Sequence, residues 1–265
     1  MQTPVTEDIA GIRLEFIRQG RGRPVLFLHP HLGMHGAQAF IDALSAGAEV
    51  IAPSHPGFGR SEIRKGMNTV DDLSYYYLDL LEALDLDGVT VVGSSFGGWI
   101  AAAMAVKNTS RMSALVLADP LGVKFGKGSS GDFVNFFSTP RPRLEELYYH
   151  DASHARRDIP AATDEERTVI ARNWEASALY GWNPYMHDPK LLGRLARIRI
   201  PSLVLWGAKD AIAPASLGDA WAAALPHGRF LAIAEAGHFP HIEKPAETAR
   251  HVLAFAGRDA AVAGA

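Results

Sequence analysis

The strongest constraint on this chain is a series of short apolar runs with helical stretches between them. VLFLH (25–29), EVIAPS (49–54), VTVVGS (89–94), ALVLAD (114–119), SLVLWG (202–207) and RFLAIA (229–234) are apolar almost throughout. A strand with one wet face alternates apolar and polar residues. Near-continuous apolar runs fit strands covered on both faces, as in a parallel sheet. IRLEFI (12–17) precedes them as a further strand. DDLSYYYLDLLEAL carries an apolar stripe, and Thr69 followed by Asp72 marks its start as a helix. Residues 96–107 and 215–225 also read as helices. Strand and helix in alternation predict an α/β fold with right-handed crossovers.

The alternation breaks between 121 and 197. This stretch opens on Gly and Ser (GVKFGKGSSG) and continues through Pro (TPRPR). The helix-like pieces LEELYYHDASHA and DEERTVIARNWEASALYGW follow, rich in aromatic residues. The reading is a core of residues 1–120 and 198–265, interrupted by a helical insertion, 121–197. A chain of 265 residues can bury a large core without a disulfide or metal staple. It has no cysteine, which removes disulfides, thiolate metal sites and a cysteine nucleophile. A net charge of -3 without long like-charge runs argues against nucleic acid or an anionic membrane as partner. No apolar stretch reaches the length of a membrane span. MQTPVTEDIAG does not resemble a secretory signal, so a soluble cytoplasmic protein is expected.

VVGSSFGGWIAA (91–102) holds the chemistry. Gly93-Ser94-Ser95-Phe96-Gly97 matches G-x-S-x-G, with a strand before it and a small-residue helix after it. A nucleophile on so tight a turn needs small neighbours, and Gly93, Gly97 and Gly98 supply them. The register selects Ser95, two residues from each of Gly93 and Gly97; Ser94 occupies the variable position. A serine hydroxyl needs a base, and the base needs an orienting acid. Asp210 in SLVLWGAKDAIAP follows a strand and is the candidate acid. His238 in AIAEAGHFPHIEKP follows the next strand and is the candidate base. Asp119, at the end of ALVLAD, is the alternative acid.

These motifs resemble the α/β-hydrolase superfamily, in its cap-bearing branch of esterases, C–C hydrolases, epoxide hydrolases and dehalogenases. LFLHPHLG, APSHPGFGRS, VVGSSFGGW, VLWGAKD and AGHFPHIEKP carry the resemblance across nearly the whole chain. It implies a mostly parallel central sheet, helices on both faces and a helical cap formed by the insertion. It also implies a Ser95, His238, Asp210 triad and an oxyanion hole with one donor at Phe96 N–H. The second donor falls in the loop His29-Pro30-His31-Leu32-Gly33. Pro30 stands where the family usually has glycine and has no N–H to give, so the aligned donor is His31. Ser54 stands where the family usually has aspartate; its neighbour His55 is expected to be structural.

Other signals fail. His31/His35 and His150/His154 are spaced like helical zinc ligands, but no HExxH is present. GVKFGKGSS misses the phosphate-loop spacing, and Gly57-x-Gly59 lacks a third glycine. Neither metal nor cofactor is expected. The resemblance implies a serine hydrolase acting on a small-molecule carboxylic ester, with Trp174, Tyr180, Trp182 and Tyr185 lining its pocket. One alternative is C–C cleavage of a vinylogous diketone, although HPHLGMHG lacks the Ser-Gly-Pro-Gly-like loop usual there. Another is a ligand-binding receptor with slow turnover. Nothing in the sequence sets the oligomeric state.

Overall fold

A computed structural model describes residues 4–126, 132–155 and 161–262. Residues 127–131, which include Lys127 and Gly128 of the rejected phosphate-loop stretch, lie outside it. The sheet strands are β1 (Val5–Ile9), β2 (Ile12–Gly20), β3 (Pro24–Leu28), β4 (Glu49–Pro53), β5 (Val89–Ser94), β6 (Met112–Ala118), β7 (Ser202–Gly207) and β8 (Gly228–Ile233). Their spatial order is β1-β2-β4-β3-β5-β6-β7-β8. β1 and β2 pair antiparallel, and β2 runs antiparallel to β4; the other pairings are parallel. The sheet is thus the α/β-hydrolase sheet that the motifs implied.

In β3 to β7, alternation within the apolar runs gives each strand two buried faces. β8, the run RFLAIA expected to be covered on both faces, lies at the sheet edge and is mostly half-buried or exposed. Leu26, Leu28, Val91, Leu115, Leu117, Val204 and Trp206 pack into one apolar cluster. Val25, Phe27, Val92, Ala114, Val116, Leu203 and Leu205 join the other. Helices α2 (Val70–Ala83) and α3 (Phe96–Ala105) cover the first face. Helix α1 (Gln38–Ser45) and the C-terminal helix (Pro245–Val262) pack on each other over the second. Thr69 accepts from Asp72 N–H while the Asp72 carboxylate accepts from Thr69 N–H, closing the capping box read from the sequence. Such a cap contributes about 1 kcal/mol.

β1, α1 and the helices Pro240–Glu243 and Pro245–Val262 were not singled out by the sequence pattern. Four of the five residues of β1 are exposed, so it carries no apolar run. Helix α1 is only eight residues long and follows a loop of turns.

Between β6 and β7 the chain forms α4 (Arg141–Tyr148), a 3-10 turn (Ala152–Ala155), α5 (Asp164–Gly181) and a second 3-10 turn (Leu192–Arg197). Its described residues add no strand to the sheet, only an isolated bridge between Gly122 and His187. A second capping box, Thr163 with Glu166, starts α5.

The chain runs from β3 out to β4 and then crosses back to β5 on the other side of β3. Such a reversal opens a crevice at the carboxyl ends of the flanking strands. The loop after β3 and the turn after β5 meet there.

Candidate active site

β5 ends on Ser94, and α3 begins on Phe96. Ser95 lies between them with φ 53° and ψ -112°, a strained conformation for a residue with a Cβ. Close backbone approach explains the glycines. A Cβ on Gly93 would overlap the Gly97 carbonyl, and one on Gly97 would overlap the Leu28 carbonyl. Ser95 is pinned by its own backbone. Its N–H donates to Ala118 C=O (2.8 Å), and its C=O accepts from Leu121 N–H (3.1 Å).

Ser95 Oγ lies 2.8 Å from His238 Nε2. His238 Nδ1 lies 2.8 Å from Asp210 Oδ2, with both side chains fully buried. Asp210 is itself held: Oδ1 accepts from Ile212 N–H (2.7 Å) and Ala213 N–H (3.1 Å). Nδ1 can only donate to this carboxylate, so Nε2 is the ring nitrogen that accepts the Ser95 hydroxyl proton. Ser94 is turned elsewhere, with its Oγ 3.3 Å from His241 Nδ1. Burial, with smaller contributions from neighbouring His238 and His29, pushes the His241 pKa down to about 3.

Asp119 ends beside the same histidine. Oxygens of Asp119 and Asp210 and a ring nitrogen of His238 lie within 4.8 Å of one another. This is the one cluster of potential metal ligands among the described residues. Both ring nitrogens of His238 are already engaged, so a cation there would displace Asp210 or Ser95. The His31/His35 and His150/His154 pairs do not fall on α-helices, so their spacing does not bring two ligands onto one face.

As the first residue of α3, Phe96 has no intrahelical acceptor for its N–H, which suits it to hold an oxyanion. The loop opposite is built by a pair of histidines. His29 Nε2 accepts from His55 N–H (2.9 Å), so Nδ1 carries the proton and donates to Pro30 C=O (2.7 Å). His55 Nε2 donates to His29 C=O (2.9 Å), so its Nδ1 accepts from Tyr77 OH (2.5 Å). The two rings lie 3.6 Å apart between centroids. Burial drives both toward the neutral form: the His29 pKa falls to about 4, and that of His55 lies well below its ordinary value. Pro30 C=O also accepts from Gly33 N–H (3.0 Å). The Pro30–His31 peptide, which carries the His31 N–H, is thereby oriented without the usual glycine.

The insertion holds this loop from the other side. Ser177 Oγ shares its one proton between His31 C=O (2.8 Å) and Asn173 C=O (2.6 Å), and Asn173 Nδ2 donates to Leu32 C=O (3.0 Å). Asn173 Oδ1 accepts from Gly59 N–H (2.9 Å), and Tyr180 OH donates to Pro56 C=O (3.0 Å). The His31 ring stacks on Phe136 at 4.3 Å, and its Nε2 is 2.8 Å from Tyr148 OH. Trp174 sits edge-on to His31 at 6.1 Å.

The aromatic residues expected at the pocket divide. Trp174 packs beside His31, while Tyr180 is buried against the loop after β4. Tyr185 is tied by its hydroxyl to Val134 C=O and Phe136 N–H. Trp182 departs from the expectation: it is 63% exposed and packs only its flank against Phe137. It caps the end of α5, past the turns whose buried face meets the core. Phe136, Tyr148, His29 and Tyr77 were not singled out from the sequence. Asn173, Ser177 and Tyr180 did carry a signal, because residues at i, i+4 and i+7 share a helix face. A cavity of about 570 Å³ opens at the seam between the insertion and the core, beside Leu32, Gly33, Arg60, Glu165 and Asn173. It does not reach Ser95; the site is defined by its hydrogen-bond geometry.

Strand order and a serine elbow at the carboxyl edge of the sheet define an α/β hydrolase. The chain belongs to the alpha/beta hydrolase family, whose sequence model matches residues 25–251. It is 30% identical to the dihydrolipoyllysine-residue acetyltransferase component of the acetoin cleaving system of Cupriavidus necator, over 89% of this chain and 64% of that protein. The chain thus spans less than two thirds of that relative's length. It is 28% identical to 2-hydroxymuconate semialdehyde hydrolase of Pseudomonas putida, over 93% of this chain and 91% of that one. A thermophilic esterase from Thermogutta terrifontis superposes with a TM-score of 0.77 at 24% identity, covering 97% of this chain and 99% of that one.

Proposed function

We propose that this protein is a serine hydrolase that cleaves a small to medium, largely apolar carboxylic ester through an acyl-enzyme. The supporting observation is the continuous relay from Ser95 Oγ to His238 to Asp210, both links 2.8 Å. His238 Nε2 takes the Ser95 proton as Oγ attacks the carbonyl carbon. Asp210 stabilises the resulting imidazolium. Phe96 N–H and His31 N–H hold the oxyanion, and His238 returns the proton to the leaving alcohol. Water activated by His238 then releases the acid. Phe136, Tyr148 and Trp174 give the roof its apolar character.

A second reading, cleavage of a C–C bond by the same three residues, draws on the similarity to 2-hydroxymuconate semialdehyde hydrolase. A fluorophosphonate probe and a panel of p-nitrophenyl esters test the proposal. Labelling at Ser95 with ester turnover that Ser95→Ala abolishes supports it. Turnover of vinylogous diketones with none of esters favours the second reading. Tight small-molecule binding without labelling favours a receptor.

A further inference from the structure

Two carboxyl groups stand at the ends of adjacent strands, and their surroundings differ. Asp210 follows β7 and accepts three hydrogen bonds, from Ile212 N–H, Ala213 N–H and His238 Nδ1–H. Both of its oxygens act as acceptors, as a carboxylate's do. Asp119 follows β6 and is completely buried. Its Oδ1 accepts from Gly207 N–H (2.8 Å). No hydrogen-bond donor reaches its Oδ2. An ionised carboxylate in that position would leave a charged oxygen bare in the protein interior, beside the negative charge of Asp210. Two carboxylates so placed cannot both hold their charge. A proton on Oδ2 resolves both costs: it neutralises Asp119 and makes it a donor.

We propose that Asp119 is a neutral carboxylic acid whose Oδ2–H donates to Asp210, a positioning residue that extends the Ser95–His238–Asp210 relay by one member. One oxygen each of Asp119 and Asp210 and one ring nitrogen of His238 lie within 4.8 Å of one another, and the side-chain hydrogen-bond contact between Asp119 and Asp210 singles out Asp210 as the acceptor. The backbone supports the same role. Asp119 adopts φ 45°, a left-handed conformation unusual for a residue with a Cβ. Asp119 N–H is fixed on Leu205 C=O (3.0 Å), so β7 sets the side chain's aim from both ends. Burial and then the Asp210 charge push the Asp119 pKa well up, with a smaller contribution from Glu243. The ionisable groups facing it are Asp210, His238 and Glu243. Donating to Asp210, Asp119 holds that carboxylate in the orientation His238 requires and disperses part of its charge.

This rests on the hydrolase reading above, and its test separates the two. Asp119→Asn keeps a donor toward Asp210 and an acceptor for Gly207 N–H. Its kcat is expected within about threefold of wild type. Asp119→Ala removes the donor and is expected to lower kcat about ten- to a hundredfold with KM little changed, the effect of one lost buried hydrogen bond. Difference infrared spectra at neutral pH report the proton itself: the wild type should show a protonated-carboxyl stretch that Asp119→Asn lacks, whatever the substrate. A wild-type spectrum without that band overturns the proposal. So does a kcat loss of about 10³-fold in Asp119→Asn, which would mean the negative charge is required. Equal kcat in the Asn and Ala variants also overturns it. Loss of ester turnover as a property of the protein, with the infrared band intact, overturns only the hydrolase reading.

Discussion

The floor and the roof of the candidate site are built by opposite means. The floor is backbone. Ser95 is held by peptide hydrogen bonds to β6 and Leu121 and by glycines that let α3 approach β5. The roof is side chains: Phe136 on His31, Tyr148 on His31, and Asn173 and Ser177 on the loop carbonyls. Peptide geometry allows few alternatives and places a nucleophile to within a fraction of an ångström. Aromatic packing tolerates exchange at similar volume, so it can be reshaped for another substrate while the floor stays as it is.

The largest expected break falls on the floor and distinguishes neighbours. Ser95→Ala should lower kcat for the preferred ester about 10⁴-fold or more. Ser94→Ala, which removes a hydroxyl directed at His241 and not at His238, should stay within a few-fold in the same steady-state assay. If both variants lose activity equally, the register of the elbow is misassigned.

Where roof meets floor the effect should be intermediate. Ser177→Ala frees the His31 carbonyl, and kcat should fall about tenfold at nearly constant KM, the measure of one lost buried hydrogen bond in the oxyanion loop. A change in KM alone would show that α5 serves binding and not the oxyanion.

Acid should undo the histidine layer beneath the loop before it touches the aromatic roof. His29, His55 and His241 are buried neutral, with pKa values below that of an unfolded-chain histidine, about 6.5. Between that value and the native pKa, the unfolded chain binds more protons than the native one. Their contribution to stability is therefore complete above about pH 6.5 and is lost as pH falls toward about 4. Thermal melts across that window should show Tm falling with pH, and His55→Leu should flatten the slope. A parallel pair of curves would remove His55 from the account.

The smallest effect belongs to the outer roof. Trp182→Ala should change stability by no more than about 0.5 kcal/mol and leave kcat/KM within twofold, because most of the ring already faces water. A large loss of kcat/KM would return Trp182 to the pocket.

The division also explains what could be read in advance. The elbow and the candidate acid and base were legible because each follows a strand and depends on neighbours only one or two residues away: Gly93 and Gly97 around Ser95, Gly237 before His238. The sheet was legible because its central strands, β3 to β7, are buried on both faces. β1 was not, because an exposed edge strand leaves no apolar trace. Phe136 and Tyr148 left no trace either. An aromatic residue in a helical insertion looks the same whether it packs on its own helix or on His31. Asp119 was visible as a carboxyl at a strand end. What distinguishes it from Asp210 is the number of N–H groups that reach each one, and that depends on contacts across strands, such as Gly207 with Asp119.

Gly237 has one more consequence. Its φ is not among the positive ones, so it is not there to make a turn. A Cβ at this position would lie within 3.0 Å of Tyr148 O, Tyr149 C and His150 N. The neighbouring His238 N–H is bonded to Tyr148 C=O, and Glu243 joins Gly237 N–H to Asp151 N–H. The main chain that presents the base and the main chain that leaves α4 are therefore in direct contact. Anyone transplanting a different insertion onto this sheet inherits that junction. A donor segment must thread its backbone past residue 237 along the same path, or the graft will alter specificity and displace the base together.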